Sequence, residues 1–162
     1  MKIVIVGAGS IAFTPAILSG FCVDPRYKRA TIGLVDVNLE TLELIAGEER
    51  VIVSSLARIE ALTHLHGRVA GGLLSRATAK RLAQRLDALL DTAPYDLTRS
   101  PVTIFDLAAA QITSFAAKQY CRSLDRLHLA TMEALRLRRL LTNDAAQAKA
   151  AEGLGFVVLL PR

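Results

Sequence analysis

Residues 123–144 read SLDRLHLATMEALRLRRLLTND. Ser123 suits the N-cap of a helix that carries Asp125 in its first turn and runs to about 137. "RLLTND" (139–144) reads as a strand leading into a turn. Residues 145–152 form a short helix ended by Gly153 and Gly155, and "FVVLL" (156–160) is a last strand. Helix, strand, helix, strand: this alternation needs a mostly parallel sheet with helices on its faces, because parallel strands are joined only by crossovers.

The same alternation extends upstream. "KIVIV" (2–6), "TIGLVDV" (31–37) and "RVIVSS" (50–55) are β-branched runs, and the serines that end the third can cap the next helix. Helices are expected over 11–21, 39–47, 56–66, 75–91 and 106–119. Ser75 is the expected N-cap of the fourth, with Leu82, Leu86, Leu89 and Leu90 on its apolar face. Pro94 and Pro101 bracket a loop, and "VTIF" (102–105) is a short strand or a helix start. The fold class is α/β.

Bulk composition agrees. The 162 residues are 52% hydrophobic with a net charge of +5, mean hydropathy is +0.36 and the pI is near 9.6. These values exclude a disordered chain, and the basic balance suits a polyanionic partner without requiring one. Cys22 and Cys121 lack metal-type spacing and read as buried small apolar residues. "MKIVIV" opens like a signal peptide, but Gly7, Gly9 and Pro15 interrupt the apolar run. No stretch reaches the roughly 18 apolar residues of a membrane span. No membrane partner is expected, and a cytoplasmic location is.

Two motifs carry chemistry. "GAGSIA" (7–12) fits G-x-G-x-x-G/A: Gly7 permits a tight turn after a strand, Gly9 lets a pyrophosphate approach the backbone, and the helix N-terminus offers free N–H groups. Asp36 ends the next strand 24 residues after Ala12, where an acid binds ribose hydroxyls. With "DP" (24–25) and "IGLVDVNLETLEL" (32–44), residues 2–45 resemble the NAD-binding opening of glycoside hydrolases of family 4. That resemblance implies a Rossmann-like βαβ unit in which Gly7, Gly9 and Asp36 bind NAD; a βαβ unit that binds nothing is equally compatible with the residues. Residues 1–48 are too few to be stable alone, so they are expected either to merge into one sheet with a second unit, 49–162, or to remain poorly ordered.

The second motif is a set of acids near strand ends or helix starts: Glu60 after "VIVSS", Asp125, and Asp144 after "RLLTN". In a parallel sheet the C-terminal strand ends share one rim, where ligands bind. Carboxylates gathered there repel one another unless a hard divalent cation joins them, and magnesium and manganese prefer such oxygens. Asp125 alone also suits a helix dipole. The flanking sequence, "VIVSSLARIEALTHLHGRVAGGLLS" (51–75) and "RSLDRLHLATMEALRLRRLLTNDAAQAKAAEGLGFVVLLP" (122–161), resembles PIN-domain ribonucleases, including the toxin halves of bacterial toxin–antitoxin pairs. The resemblance spans about 49–162. It implies a PIN-like sheet, a divalent-metal-dependent endoribonuclease, an RNA substrate, an antitoxin partner and a possible homodimer. It implies Mg2+ or Mn2+ held by Glu60, Asp125 and Asp144 as catalytic acids, with Thr142 and Asn143 lining the same turn.

The family's opening strand ends in an Asp-Thr-Ser or Asp-Thr-Asn turn, and Gly7 to Ser10 stand in its place here. Two mergers follow. Either strand 31–36 is the PIN-like first strand and Asp36 is a fourth metal ligand, or strand 2–6 takes the central place with 31–36 beside it and the first acid is lost. The alternatives to a nuclease are an NAD-binding module and an inactive fusion. Among other residues, His64 and His66 face apart on a helix, and His128 reads as a satisfied, half-buried histidine. Arg136, Arg138 and Arg139 either contact a phosphate backbone or form a solvated face.

Overall fold

The computed structural model describes residues 3–6, 49–114 and 120–159, the first of these stretches by its backbone alone. The elements in chain order are β1 (Ile3–Val6), β2 (Arg50–Ser54), α1 (Ser55–Ala70), α2 (Arg76–Leu90), β3 (Tyr95–Thr98), α3 (Ile104–Thr113), α4 (Ser123–Ala134), β4 (Arg139–Leu141), α5 (Ala145–Gly153) and β5 (Val157–Leu159). The strands form one sheet of order β3-β2-β1-β4-β5, parallel throughout. This is the α/β architecture that the alternation demands.

The central place belongs to β1. Its Ile5 is in register with Ile52 of β2 on one side and Leu140 of β4 on the other. This overturns the merger that put strand 31–36 there. The other merger has strand 2–6 in the centre, as found, but both edges of β1 are taken by β2 and β4. Residues 31–36 themselves, with Gly7, Gly9 and Asp36, lie outside the described residues.

Local chemistry sets the helix starts. Ser54 ends β2 and its Oγ accepts the Ala57 N–H at 3.1 Å, so strand and helix meet without a loop. The Ser75 Oγ accepts the Thr78 N–H at 3.1 Å, and α2 buries Leu82 and Leu90 as expected, with Leu86 and Leu89 half-buried. Arg58 joins Asp87 through two hydrogen bonds of 2.7 and 2.9 Å, tying α1 to α2. Its guanidinium holds the Asp87 carboxyl below the usual range.

Four expectations need correction. The helix that follows β2 starts at Ser55 and runs to Ala70, beyond the expected 56–66: it continues through Gly67 and ends at the C-cap Gly71, followed by Gly72. Gly72 takes a positive φ of 70°, which side chains disfavour. β3 lies inside the stretch between Pro94 and Pro101 that was expected to be a loop. Residues 102–105 hold a turn and a helix start, one of the two readings given for them, while α3 begins at Ile104 rather than 106 and ends at Thr113 rather than 119. Ser123 is not a cap: Arg122 holds that position, with no side-chain cap bond. Cys121 is a buried free thiol, and burial pushes it up from the ordinary thiol value.

The core gathers around α4. Leu129 and Met132 pack with Ile52, Leu140, Ala150, Ala151 and Phe156, while Ala130 packs against Ile104 and Ala108 of α3. Leu140 sits in the middle of β4 with no exposed surface. Leu140→Ala is expected to cost about 2–5 kcal/mol, through lost burial and the cavity left behind. Urea denaturation monitored by circular dichroism measures this as a fall in midpoint at an unchanged slope.

Candidate functional site: an acidic rim around Arg122

Because the strands are parallel, the ends of β2 and β4 lie on the same rim. Ser54 and the start of α1 rise from one, and Asp144 follows the other. The helix α4 presents its N-terminus to the same place. Of its twelve residues, seven are buried: Asp125, Arg126, His128, Leu129, Ala130, Thr131 and Met132. Asp125 and His128 stand one turn apart on a helix that has almost no solvent side, with Arg122 just before its first turn and Thr131 three residues beyond His128.

Arg122 ties the acids together. Its Nε donates to Asp125 Oδ2 at 2.9 Å and its Nη2 donates to Asp144 Oδ2 at 2.8 Å. The Asp125 side chain is 2% exposed, Asp144 19% and Arg122 50%, so the pair opens to solvent on the arginine's side. The other Asp144 oxygen, Oδ1, is committed to the fold: it accepts the N–H groups of Ala146 and Gln147 at 2.8 and 2.9 Å and caps α5. The Thr142 Oγ1 accepts the Asp144 N–H at 3.1 Å, which fixes the turn between β4 and α5. Burial pushes the Asp125 carboxyl above its ordinary value, against the downward pull of the Arg122 hydrogen bond and charge; Asp144 adds to the rise. Arg122 is held up chiefly by its hydrogen bond to Asp125, with the fields of Asp144 and Glu60 adding to it.

Glu60 takes a different partner. Its Oε2 lies 2.8 Å from the Nε2 of His128, and the Nδ1 of that ring lies 3.2 Å from the Oγ of Ser54. His128 has no exposed surface, so it is fully rather than half buried. Thr131 lies three residues beyond His128: its Oγ1 donates to the Leu127 carbonyl at 2.8 Å and lies 3.3 Å from the Ser100 Oγ. The three expected acids therefore do not converge as one cluster. Asp125 and Asp144 share Arg122, and Glu60 is held by His128. Among the described residues no three of His, Cys, Asp and Glu come together closely enough to hold a metal ion. Arg136 and Arg138 precede β4 and so lie at the opposite end of that strand from Asp144; both are exposed.

Arg122, Ser54 and the His128–Glu60 contact were not anticipated as site features.

A family model described as "PIN domain" matches residues 36–153. The chain belongs to the PIN domain family. Two solved structures share its fold. VapBC2 from Rickettsia felis, crystallised bound to a DNA fragment from its promoter, matches with a TM-score of 0.60 at 14% identity, covering 98% of this chain and 98% of that one. FitAcB from Neisseria gonorrhoeae matches with a TM-score of 0.61 at 17% identity, covering 99% and 98%. No curated protein matches the sequence. The glycoside hydrolase likeness of residues 2–45 finds no support in these comparisons.

The Asp125 shift carries a stability consequence. An acid whose folded value lies above its unfolded value binds its proton more tightly in the folded state. Below the unfolded value the group is neutral in both states and costs nothing. As pH rises through the folded value, the buried charge destabilises the fold. In metal-free buffer Asp125→Asn is therefore expected to melt above wild type at pH 7, with the gap closing as pH falls toward 4. Thermal melts at several pH values decide it; a variant that melts below wild type at pH 7 would contradict the argument.

Proposed function

We propose that this PIN domain is a divalent-metal-dependent endoribonuclease of the toxin type. The observation that carries the reading is the shared guanidinium: Asp125 and Asp144 face one common positive charge at the strand-end rim. Two carboxylates that accept one cation from outside the backbone present a hard oxygen set suited to Mg2+ or Mn2+. Arg122 reaches the two acids from a half-exposed position on a flexible stem. Glu60 is proposed to complete the set from α1; with β1 in the central place, the fourth-ligand role of Asp36 is not carried forward. Bound there, a divalent ion supplies a water of lowered pKa and neutralises charge on the phosphodiester. The chain's own part is positional. The cap bonds hold Asp144 Oδ1, so Oδ2 faces the site. The buried flank of α4 keeps bulk water from Asp125. Arg122, once displaced, stays on the rim as a phosphate-binding group.

An RNA substrate, an antitoxin and a homodimer are proposed as partners on the likeness of residues 49–162 to toxin halves. The exposed apolar residues Val102, Phe105 and Ile112, on and just before α3, support a protein partner. No described helix is long and apolar enough to cross a membrane, and a cytoplasmic site of action is proposed with the RNA substrate.

The test is cleavage of a single-stranded RNA with Mg2+ or Mn2+, by wild type and Asp144→Asn. Asparagine caps helices as well as aspartate does, so the variant keeps α5 and loses only the charge. Cleavage is expected to fall by at least about tenfold to a hundredfold and to stop on chelation with EDTA. Equal cleavage by both proteins, or cleavage that survives EDTA, sinks the proposal.

A further inference from the structure

His128 lies one turn beyond Asp125 in a helix with almost no exposed side, and both of its ring nitrogens are engaged. The proton inventory of its neighbours selects one arrangement. Ser54 Oγ already accepts the Ala57 N–H, and the hydroxyl has a single proton to give. A carboxylate only accepts. A neutral ring that serves both neighbours must carry its proton on Nε2, donate it to Glu60 Oε2, and accept the Ser54 hydroxyl proton at Nδ1. The three residues come from the end of β2, the second turn of α1 and the middle of α4. They are not a hydrolytic triad, because Ser54 has no exposed surface and its oxygen is fixed in the helix cap.

We infer that His128 is the positioning residue for Glu60, locked in the Nε2–H tautomer by Ser54. Its ring holds one oxygen of a carboxylate that is 13% exposed. The second oxygen, Oε1, makes no hydrogen bond among the described residues and is the one left to face a cation. Without the ring, a glutamate with three rotatable bonds has no contact to fix it toward the rim. Groups that orient a metal ligand in this way are typically worth 10–100-fold in metal affinity. The inference rests on the proposed role of Glu60 as a cation ligand.

Two measurements test it. Long-range 1H–15N NMR of the metal-free wild type is expected to show the Nε2–H tautomer for His128; the Nδ1–H tautomer overturns the inference. Mn2+ affinity is then measured by calorimetry for wild type, His128→Leu, His128→Gln and Asp144→Asn. Leucine fills the space and cannot donate, so affinity is expected to fall about 10–100-fold. Glutamine places an amide donor near the position of Nε2, so affinity is expected to stay within a few-fold of wild type. Wild-type affinity in His128→Leu, or equal losses in both variants, overturns the inference. If the thermal melt shows that His128→Leu does not fold, Ser54→Ala replaces it: the ring loses the partner that fixes its proton, Mn2+ binding weakens, and unchanged binding is the contrary result. Asp144→Asn separates the two levels. Undiminished Mn2+ binding in Asp144→Asn removes the cation site and the inference with it, whereas a loss there beside wild-type affinity in His128→Leu removes the inference alone.

Discussion

The molecule depends on a helix that is buried nearly all round and yet carries polar groups. α4 must pack Leu129 and Met132 against the sheet and Ala130 against α3. The same helix places Asp125, His128 and Thr131 in surroundings where an unmet polar group costs about 1–3 kcal/mol. Each therefore needs a partner: His128 and Thr131 draw theirs from elements far away in the chain, Ser54 and Glu60 for His128 and Ser100 for Thr131, whereas Asp125 is met by Arg122 three residues before it, which also holds Asp144. Satisfying these groups fixes how β2, α1, the segment after β3 and the β4–α5 turn stand around α4. The site is the outer end of that arrangement.

At this end, burial and charge act in opposite directions. Desolvation disfavours an ionised Asp125, and Arg122 restores part of the loss. That balance differs from an ordinary surface ion pair, which contributes little because both ions stay hydrated. One oxygen of the Asp125–Arg122 contact is almost wholly inside, so the arginine compensates a charge that the fold itself has made costly. A carboxyl placed where burial disfavours its charge, beside a specific cationic partner, marks a candidate binding site.

The contiguous parts of this arrangement were legible in the sequence. Residues 123–159 give α4, β4, α5 and β5 in order because each element is local: a step-of-three-or-four apolar pattern, a short apolar run, a capped helix and another run. Glu60, Asp125 and Asp144 were legible as candidates through family likeness and their places near strand ends or helix starts. β3 was not, since four half-buried edge residues between two prolines carry no strong alternation. The contacts inside the site were not legible either. Glu60 and His128 are 68 positions apart, Ser54 and His128 are 74, and spacing along a chain says nothing about which of two buried partners an acid selects. Arg122 was hidden differently: next to Ser123 it looked like the residue before a cap, whereas it is the cap position and its side chain turns to the acids.

The central strand poses the remaining physical question. β1 ends at Val6, and the sequence that follows is Gly7-Ala8-Gly9-Ser10, which has no carboxylate. The PIN family match starts only at Asp36. Among the described acids of the rim, Glu60, Asp125 and Asp144 supply three negative charges, and Arg122 offsets one of them. A divalent ion entering here has to displace the guanidinium or share the carboxylates with it, and both reduce its net attraction. Affinity in such a site rests less on summed charge than on how firmly each oxygen is already aimed. Three short bonds do that aiming: two backbone N–H groups on Asp144 Oδ1, and one buried imidazole on Glu60 Oε2. On the proposed reading, the orientation of these carboxylates, fixed before any ion arrives, compensates for an acid that the first strand does not provide.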